Sequence, residues 1–381
     1  MTTTINNKNK KANVPNLRFP EFQGEWISKT IGDIAPLQRG FDLPTGQICN
    51  GKIPVVYSNG IMNHHSSYKC VAPGLVTGRS GTIGNFTYIE DGYYWPHNTS
   101  LWVTDFHGNN PKFIYYLYQT IHIGQYSTGS GVPTLNRNNV HRHKTFIPKL
   151  KEQNKIAAFL SILDERIACQ NKIIDKLQSL IKGINQRVFK NSGNNYKLGE
   201  ICEIRSGYSG SQLLSKKGLK VSRIETISGH KVNMERVGYV APFESSENYR
   251  LRVGDILFSN INSVEYIGNT AFIDKDYDLY HGMNLLRLTP NNMVVIPFYL
   301  YLLLNTNRML NHFKTVCNKA VSQASINQTE LGKTVIQIPP IKTQEQICEL
   351  YQALYTKLET ASHTKSFFQN QKQYMLRQMF I

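Results

Sequence analysis

Residues 151–189 carry an apolar residue at alternating steps of four and three. Ile156, Leu160, Leu163, Ile167, Ile174, Leu177, Ile181, Ile184 and Val188 fall on one helical face, and Gln170 is the single polar residue in the series. Such spacing, held over nearly five heptads, is the a/d seam of a coiled coil. At ~1.5 Å per residue the helix is a rod of roughly 55–60 Å. The run Asn191-Ser192-Gly193-Asn194-Asn195 then stops the helix and starts a linker. A rod with one apolar stripe requires a partner.

The end of the same chain supplies one. A shift of 191 positions lays Ile147-Pro148-Lys149-Leu150 on Ile338-Pro339-Pro340-Ile341, Gln153 on Gln344, Leu163 on Leu354 and Phe189 on Phe380, with no gap in the helix. The second seam reads Ile347, Tyr351, Leu354, Leu358, Ala361, Lys365, Phe368, Lys372, Met375, Met379. Lys365 and Lys372 weaken it, but lysine in a seam restricts register and partner choice while its stem lies along apolar surface. The residues expected to pair the helices are Ile156, Leu160, Leu163, Ile167, Ile174, Leu177 and Ile181 against Ile347, Leu354, Leu358, Phe368 and Met375.

The rest of the chain repeats in the same order. Leu198-Gly199-Glu200-Ile201 echoes Ile31-Gly32-Asp33-Ile34, and Gly207 falls on Gly40 at the same offset. Ile267-Gly268-Asn269 echoes Ile83-Gly84-Asn85, and Ile326-Asn327 repeats Leu135-Asn136. Pro111 and Pro297 each open an apolar helix, with Phe298, Tyr301 and Leu302 set where Phe113, Tyr116 and Leu117 stand. Short β-like runs at 53–57, 75–77, 86–89 and 100–103 are punctuated by Gly, Asn and Pro. The expected organisation is a basic disordered arm (1–14), a globular module (15–150), a long helix (151–190), a second module (191–340) and a second long helix (341–381). The fold class is mixed α/β: two modules joined by a long antiparallel two-helix coiled coil, with internal duplication and pseudo-two-fold symmetry.

Charge narrows the partners. The chain of 381 residues has a formal net charge of +17, and every segment shares the excess, from +7 over 1–150 to +2 over 341–381. Nucleic acid is the leading partner for such a surface, with acidic membranes or ribosome association as alternatives. The cysteines are scattered with no C-x-x-C pair, which argues against a zinc module or a disulfide framework. With no signal peptide and no membrane-length apolar run, the expected location is cytoplasmic.

These features resemble the specificity (S) subunits of bacterial type I restriction–modification enzymes. The likeness rests on Pro15-Asn16-Leu17-Arg18-Phe19-Pro20-Glu21-Phe22 with Trp26, on Ile31-Gly32-Asp33, and on the proline-led helices Ile147-Pro148…Glu152-Gln153 and Ile338-Pro339-Pro340…Glu345-Gln346. The Gly-rich segment Gly78-Arg79-Ser80-Gly81-Thr82-Ile83-Gly84 completes it, with a degraded copy around Ile267-Gly268. The resemblance implies that each module is a target-recognition domain reading half of a split duplex DNA site. It implies that the paired helices set the gap and dock two adenine methyltransferase subunits, with two restriction subunits in the full complex. It implies no catalysis and no cofactor in this chain; the partners use S-adenosylmethionine, and ATP with Mg. Ser259-Asn260-Ile261-Asn262 replaces the Gly-Arg pattern in the second copy, so the role of Arg79 does not carry over there.

Candidate DNA contacts follow from residue chemistry. Arg39 is one candidate cation, and Arg79, between glycines, can meet a guanine edge or a phosphate, or be a solvated turn residue. Arg137, Arg142 and Lys144, with His141 and His143, form a basic run that suits phosphate anchoring or a solvated face. In the second module Arg205, Lys216, Lys217 and Arg223 cluster around Tyr208, with Asn260, Asn262, Lys319 and Gln323 added on the same logic. The aromatic helices read as core. A self-contained DNA methyltransferase would need Asn/Asp-Pro-Pro-Tyr/Phe, yet Pro339-Pro340 is flanked by Ile338 and Ile341. A protein-only coiled-coil adaptor is the third reading.

Overall fold

The structure is a computed structural model that describes residues 13–129, 133–189, 193–320 and 323–381. Most of the expected basic arm, part of the Gly/Ser loop at 128–131, and Asn191 and Ser192 of the linker lie outside the described residues. The chain forms two compact units, residues up to Lys172 with Ser362–Ile381, and Ile173–Ala361. Each long helix gives part of its length to both.

In the first unit β1 (Ile27–Thr30) runs into the short helix α1 (Ile31–Ile34), where the Thr30 hydroxyl accepts from Asp33 N and the Asp33 carboxylate accepts from Thr30 N. This capping box satisfies two helix-end donors. Then come β2 (Leu37–Arg39), β3 (Ile53–Tyr57), β4 (Gly60–His65), β5 (Cys70–Val71), β6 (Gly74–Gly78), β7 (Phe86–Ile89), β8 (Tyr93–Pro96) and β9 (Ser100–Val103). One sheet has the order β2-β9-β6-β7, all antiparallel, and a second the order β4-β3-β8-β5. Helix α2 (Pro111–Thr120) has proline in its first turn and Asn110 as N-cap, and it buries Phe113, Ile114, Tyr116, Leu117 and Tyr118. The short pair β10 (Ser127–Thr128) and β11 (Thr134–Leu135) leads to α3 (Arg137–His141), β12 (Lys144–Ile147) and the long helix α4 (Leu150–Val188). β12 returns antiparallel to β1, so the module closes at the foot of α4.

The second unit repeats this frame. It contains β13 (Asn194–Lys197), α5 (Leu198–Ile201), β14 (Cys202–Ser206), β15 (Leu219–Val221), β16 (Gly238–Val240), β17 (Ile256–Phe258), β18 (Ile261–Asn262), β19 (Thr270–Phe272) and β20 (Leu286–Pro290). There follow α6 (Pro297–Leu304), α7 (Asn307–Val316), β21 (Asn318–Lys319), β22 (Ala324–Ser325), α8 (Gln328–Gly332), β23 (Val335–Ile338) and α9 (Ile341–Met379). Its main sheet has the order β14-β20-β17-β19, strand for strand the order of the first, and β13 pairs β23 as β1 pairs β12. The units differ in what is inserted between the first two frame strands: β3, β4 and β5, which form a second sheet with the later β8, in one, and the β15–β16 pair with three 3-10 turns in the other.

Side chains repeat with the strands. The Gln153 amide accepts from Asn110 N at 3.0 Å and donates to Pro148 O at 2.9 Å, tying the start of α4 to the cap of α2. Gln344 accepts from Ile296 N and donates to Pro339 O, both at 2.8 Å, tying α9 to α6 in the same way. At Gly40 an added Cβ would collide with the carbonyls of Pro96 and His97, and at Gly207 with that of Gly282, so both turns require glycine. The aromatic helices need a correction. Proline in the first turn and the glutamine tie put Phe113 opposite Tyr299, and Tyr116 opposite Leu302, one residue away from the expected correspondence. The apolar run is dense enough to match either way; the cap sets the register.

The two long helices pair within each unit. In the first, Asp164 meets Lys372 and Arg166 lies over Phe368, so partners descend α9 as they climb α4: the pairing is antiparallel. Leu160 and Leu163 share a core with Leu376, Met379 and Phe380. In the second, Tyr351 donates to Asn185, and Ile181, Ile184 and Val188 pack with Ile347 and Tyr355. The residue numbers of the Asn185–Tyr351 pair have the same sum as those of Asp164–Lys372, so one register serves both. Seam positions are the least exposed on each helix. Ile167, Ile174 and Leu177 are only half-buried, as a two-helix pair leaves them.

Lys372 is the most constrained of the seam lysines. It is 9 % exposed, its Nζ lies 2.6 Å from Asp164 Oδ1, and it sits 5.3 Å from the Tyr116 ring centroid. Tyr116 donates to the other Asp164 oxygen at 2.7 Å. The opening segment is fastened similarly: Arg18 makes two hydrogen bonds of 2.8 Å to Glu152, a buried carboxylate that also accepts from the Trp26 indole at 3.2 Å.

Candidate nucleic-acid interface

In the first unit the frame brings three arginines to one cleft of about 410 Å³, lined also by Leu101, Thr128, Thr134, Leu135, Asn136 and Asn138. Arg39 is the last residue of β2, paired with Leu101 of β9. Arg79 follows β6, where its carbonyl accepts from Leu135 N at 2.7 Å. The preceding Gly78 admits no Cβ, because the Thr82 carbonyl occupies that space. Arg137 is the first residue of α3, whose N-cap is Asn136. Among the described residues no carboxylate lines the cleft. Arg39 holds an exposed ion pair with Asp42 at 3.3 Å, while Arg79 and Arg137 form none among the described residues. Paired this loosely, the guanidiniums can serve an anion or a base edge.

The rest of the basic run does not join them. Arg142 caps the far end of α3 and Lys144 stands exposed on β12. His141 accepts from Leu37 N at 2.8 Å, and His143 shares a 2.7 Å hydrogen bond with the Tyr126 hydroxyl. Burial lowers both imidazole pKa values, so these histidines are structural and neutral.

The second unit presents a cleft of about 450 Å³ bounded by Arg205, Ser206, Ser245, Asn248, Tyr249, His281, Arg287 and Gln328. Arg205 is ion-paired with Glu203 and Arg223 lies 3.7 Å from Glu225. Lys216 and Lys217 are exposed in the loop before β15, away from the cleft lining. Tyr208 stacks on Phe243 with centroids 3.9 Å apart and packs against Tyr249, so its ring face is taken by protein. Asn260 follows β17, with its carbonyl accepting from Ile326 N at 2.9 Å; Asn262, on β18, pairs with Ala324. Lys319 ends β21, Gln323 precedes β22, and both are exposed.

Sequence reasoning missed Arg287. It is 8 % exposed on β20, its Nη1 donates to Arg250 O at 3.1 Å, its Nε has no partner, and it forms no ion pair among the described residues. Its only signal was a charge inside the apolar strand Leu286-Arg287-Leu288. Among the described residues no group of three His, Cys, Asp or Glu could hold a metal, and no helix is long and apolar enough to cross a membrane.

A family model for the type I restriction modification DNA specificity domain matches this chain twice, over residues 23–179 and 192–366. The chain belongs to that family. A protein described as the type I restriction enzyme MjaX specificity subunit of Methanocaldococcus jannaschii is 39% identical over 188 residues, 48% of this chain and 44% of that protein. The EcoKI specificity subunit of Escherichia coli K12 is 25% identical over 244 residues, 56% of this chain and 51% of that protein. The aligned stretches thus span about half the length of these curated relatives. The crystal structure of a type I restriction–modification S subunit from M. genitalium shares the fold, with a TM-score of 0.66 at 16% identity over 97% of this chain and 99% of that one. A structure from work on complex assembly and conformational transition of the type I system matches with a TM-score of 0.55 at 18% identity, over 92% of this chain and 96% of that chain.

Proposed function

We propose that this chain is the DNA-reading subunit of a type I restriction–modification enzyme, in which each unit reads one half of a bipartite duplex target. The observation that carries this reading is one frame built twice, with shared supports and different residues at the cleft. Common are the strand order, the glutamine ties and the turn glycines; different are the inserts and the cleft side chains. Two readers alike in build and unlike in surface suit a target with two unlike halves. The arginine cleft carries contacts in the first unit. In the second, Arg205, Asn260, Asn262, Lys319 and Gln323 carry them, with Arg287 behind.

The long paired helices fix the gap between half-sites and dock two methyltransferase subunits, which supply S-adenosylmethionine chemistry; two restriction subunits supply ATP- and Mg-dependent cleavage. The chain itself transfers no methyl group and works in the cytoplasm. The test has two arms. Methylome sequencing of cells with and without this gene should show one bipartite adenine-methylated motif that disappears with it. The purified chain incubated with labelled S-adenosylmethionine and mixed duplex DNA should transfer nothing. Methyl transfer by the chain alone would favour the self-contained methyltransferase. An unchanged methylome with no salt-sensitive retention on DNA would favour a protein-only adaptor.

A further inference from the structure

Three frame positions can be matched between the two units from backbone contacts alone. Arg39 ends the first frame strand opposite Leu101, and Ser206 ends its counterpart opposite Leu286. Thr77 and Phe258 face those same partners from the neighbouring strand, so two residues further on Arg79 matches Asn260. The match is independently fixed by the carbonyls, since that of Arg79 accepts from Leu135 N and that of Asn260 from Ile326 N. Arg137 and Gln328 are each the first residue of a short helix capped by asparagine, Asn136 and Asn327. Where the first unit has Arg39, Arg79 and Arg137 the second therefore has Ser206, Asn260 and Gln328, of which Ser206 and Gln328 line its cleft.

Guanidinium and carboxamide groups answer different bases. Arginine donates two hydrogen bonds to guanine O6 and N7. Asparagine or glutamine gives one to adenine N7 and takes one from adenine N6. The side-chain environments agree. Arg79 has no ion-pair partner among the described residues to hold it back from a base. Asn260 is half-buried with its Oδ1 unpartnered, an acceptor that reorientation toward a donor would satisfy. Gln328 donates to Ile204 O at 2.6 Å, leaving its amide oxygen to accept. We infer that Arg79 and Asn260 are matched specificity-determining residues, Arg79 reading a guanine in one half-site and Asn260 an adenine in the other. This rests on the bipartite DNA-reading function proposed above.

The test uses the full chain with its methyltransferase subunits and the motif given by methylome sequencing. Absence of any bipartite motif overturns the underlying function. With a motif in hand, duplexes carrying 7-deazaguanine or 7-deazaadenine at single positions remove the N7 acceptor and leave base pairing intact. One 7-deazaguanine position should weaken wild-type binding about tenfold and have no further effect on Arg79→Ala. One 7-deazaadenine position in the other half should do the same for wild type and Asn260→Ala. Wild-type binding insensitive to every 7-deazaguanine, or to every 7-deazaadenine, overturns the assignment while leaving the bipartite function standing. So does an Arg79→Ala chain that binds uniformly more weakly but keeps its full 7-deaza sensitivity, the result expected of a phosphate contact. Insensitivity in the wild-type arm overturns the assignment even where a variant fails to fold.

Discussion

Lys372 and His281 show opposite ways of keeping a polar group in a protein interior. Around Lys372, Asp164 and two tyrosine faces take the place of water. Replacing it with alanine strands Asp164 beside the Tyr116 hydroxyl and leaves a cavity. That should cost about 2 kcal/mol, the figure for a buried pair reduced because Asp164 is partly exposed. Lys372→Met, which keeps the stem volume, should cost less than Lys372→Ala in denaturant unfolding. His281 stays neutral: its Nε2 donates to Leu285 O at 3.0 Å, its Nδ1 is buried without a partner, and burial lowers its pKa to about 4. The unfolded chain therefore binds a proton that the folded chain refuses between the ordinary histidine value and about 4. Stability should be intact above about pH 6.5 and fall as the pH drops through that window. Melting temperatures of wild type and His281→Gln, followed from pH 7.5 to 4.5, should converge on the acid side.

At the scale of elements, the glutamine ties hold each long helix to its module. Gln344 is fully buried, and its removal leaves Ile296 N, Pro339 O and Val294 O unmatched. Gln344→Ala should destabilise the second unit by about 2–3 kcal/mol, read as earlier loss of hydrogen-exchange protection in α6 than in α2. The repeat itself was legible because helix seams, prolines, cap asparagines and turn glycines carry their constraints locally. Gln153 on Gln344 could be seen as a coincidence of letters, whereas its role needs the neighbouring cap in space. The correspondence between α2 and α6 slipped by one residue because every position of Pro297–Leu304 is apolar and fits either register. Arg287 and the three-arginine cleft were not legible as a set. Their members come from separate strands and a short helix, joined only by sheet order, and the inserts that differ between units hide that order in the sequence.

For the molecule as a whole, affinity should be dominated by phosphate neutralisation, as the +17 charge implies. Binding of the complex to its duplex should weaken steeply with added salt. Each arginine that contacts a phosphate should lower the slope of log K against log salt by about 0.9 when removed. The gap between half-sites should follow the helices. Four helix-forming residues inserted near Gln170, matched by four near Phe368, add ~6 Å of rise and should lengthen the methylated motif's spacer by one to two base pairs at ~3.4 Å each. The two half-sites should stay unaltered. Methylome sequencing reads both at once, and a changed half-site with an unchanged spacer would refute the coupling of helix length to gap.

The ion pair between Asp164 and Lys372 also settles which helix may embrace which. Under the 191-residue repeat, position 164 corresponds to Tyr355 and position 372 to Ile181. Two copies of α4 zipped in the same register would set each Asp164 against an isoleucine, and two copies of α9 would set each Lys372 against a tyrosine. Every such like-with-like union leaves Asp164 or Lys372 without its ionic partner. A duplicated chain thus carries in one ion pair a preference for uniting its two unlike helices over twinning either with its own copy.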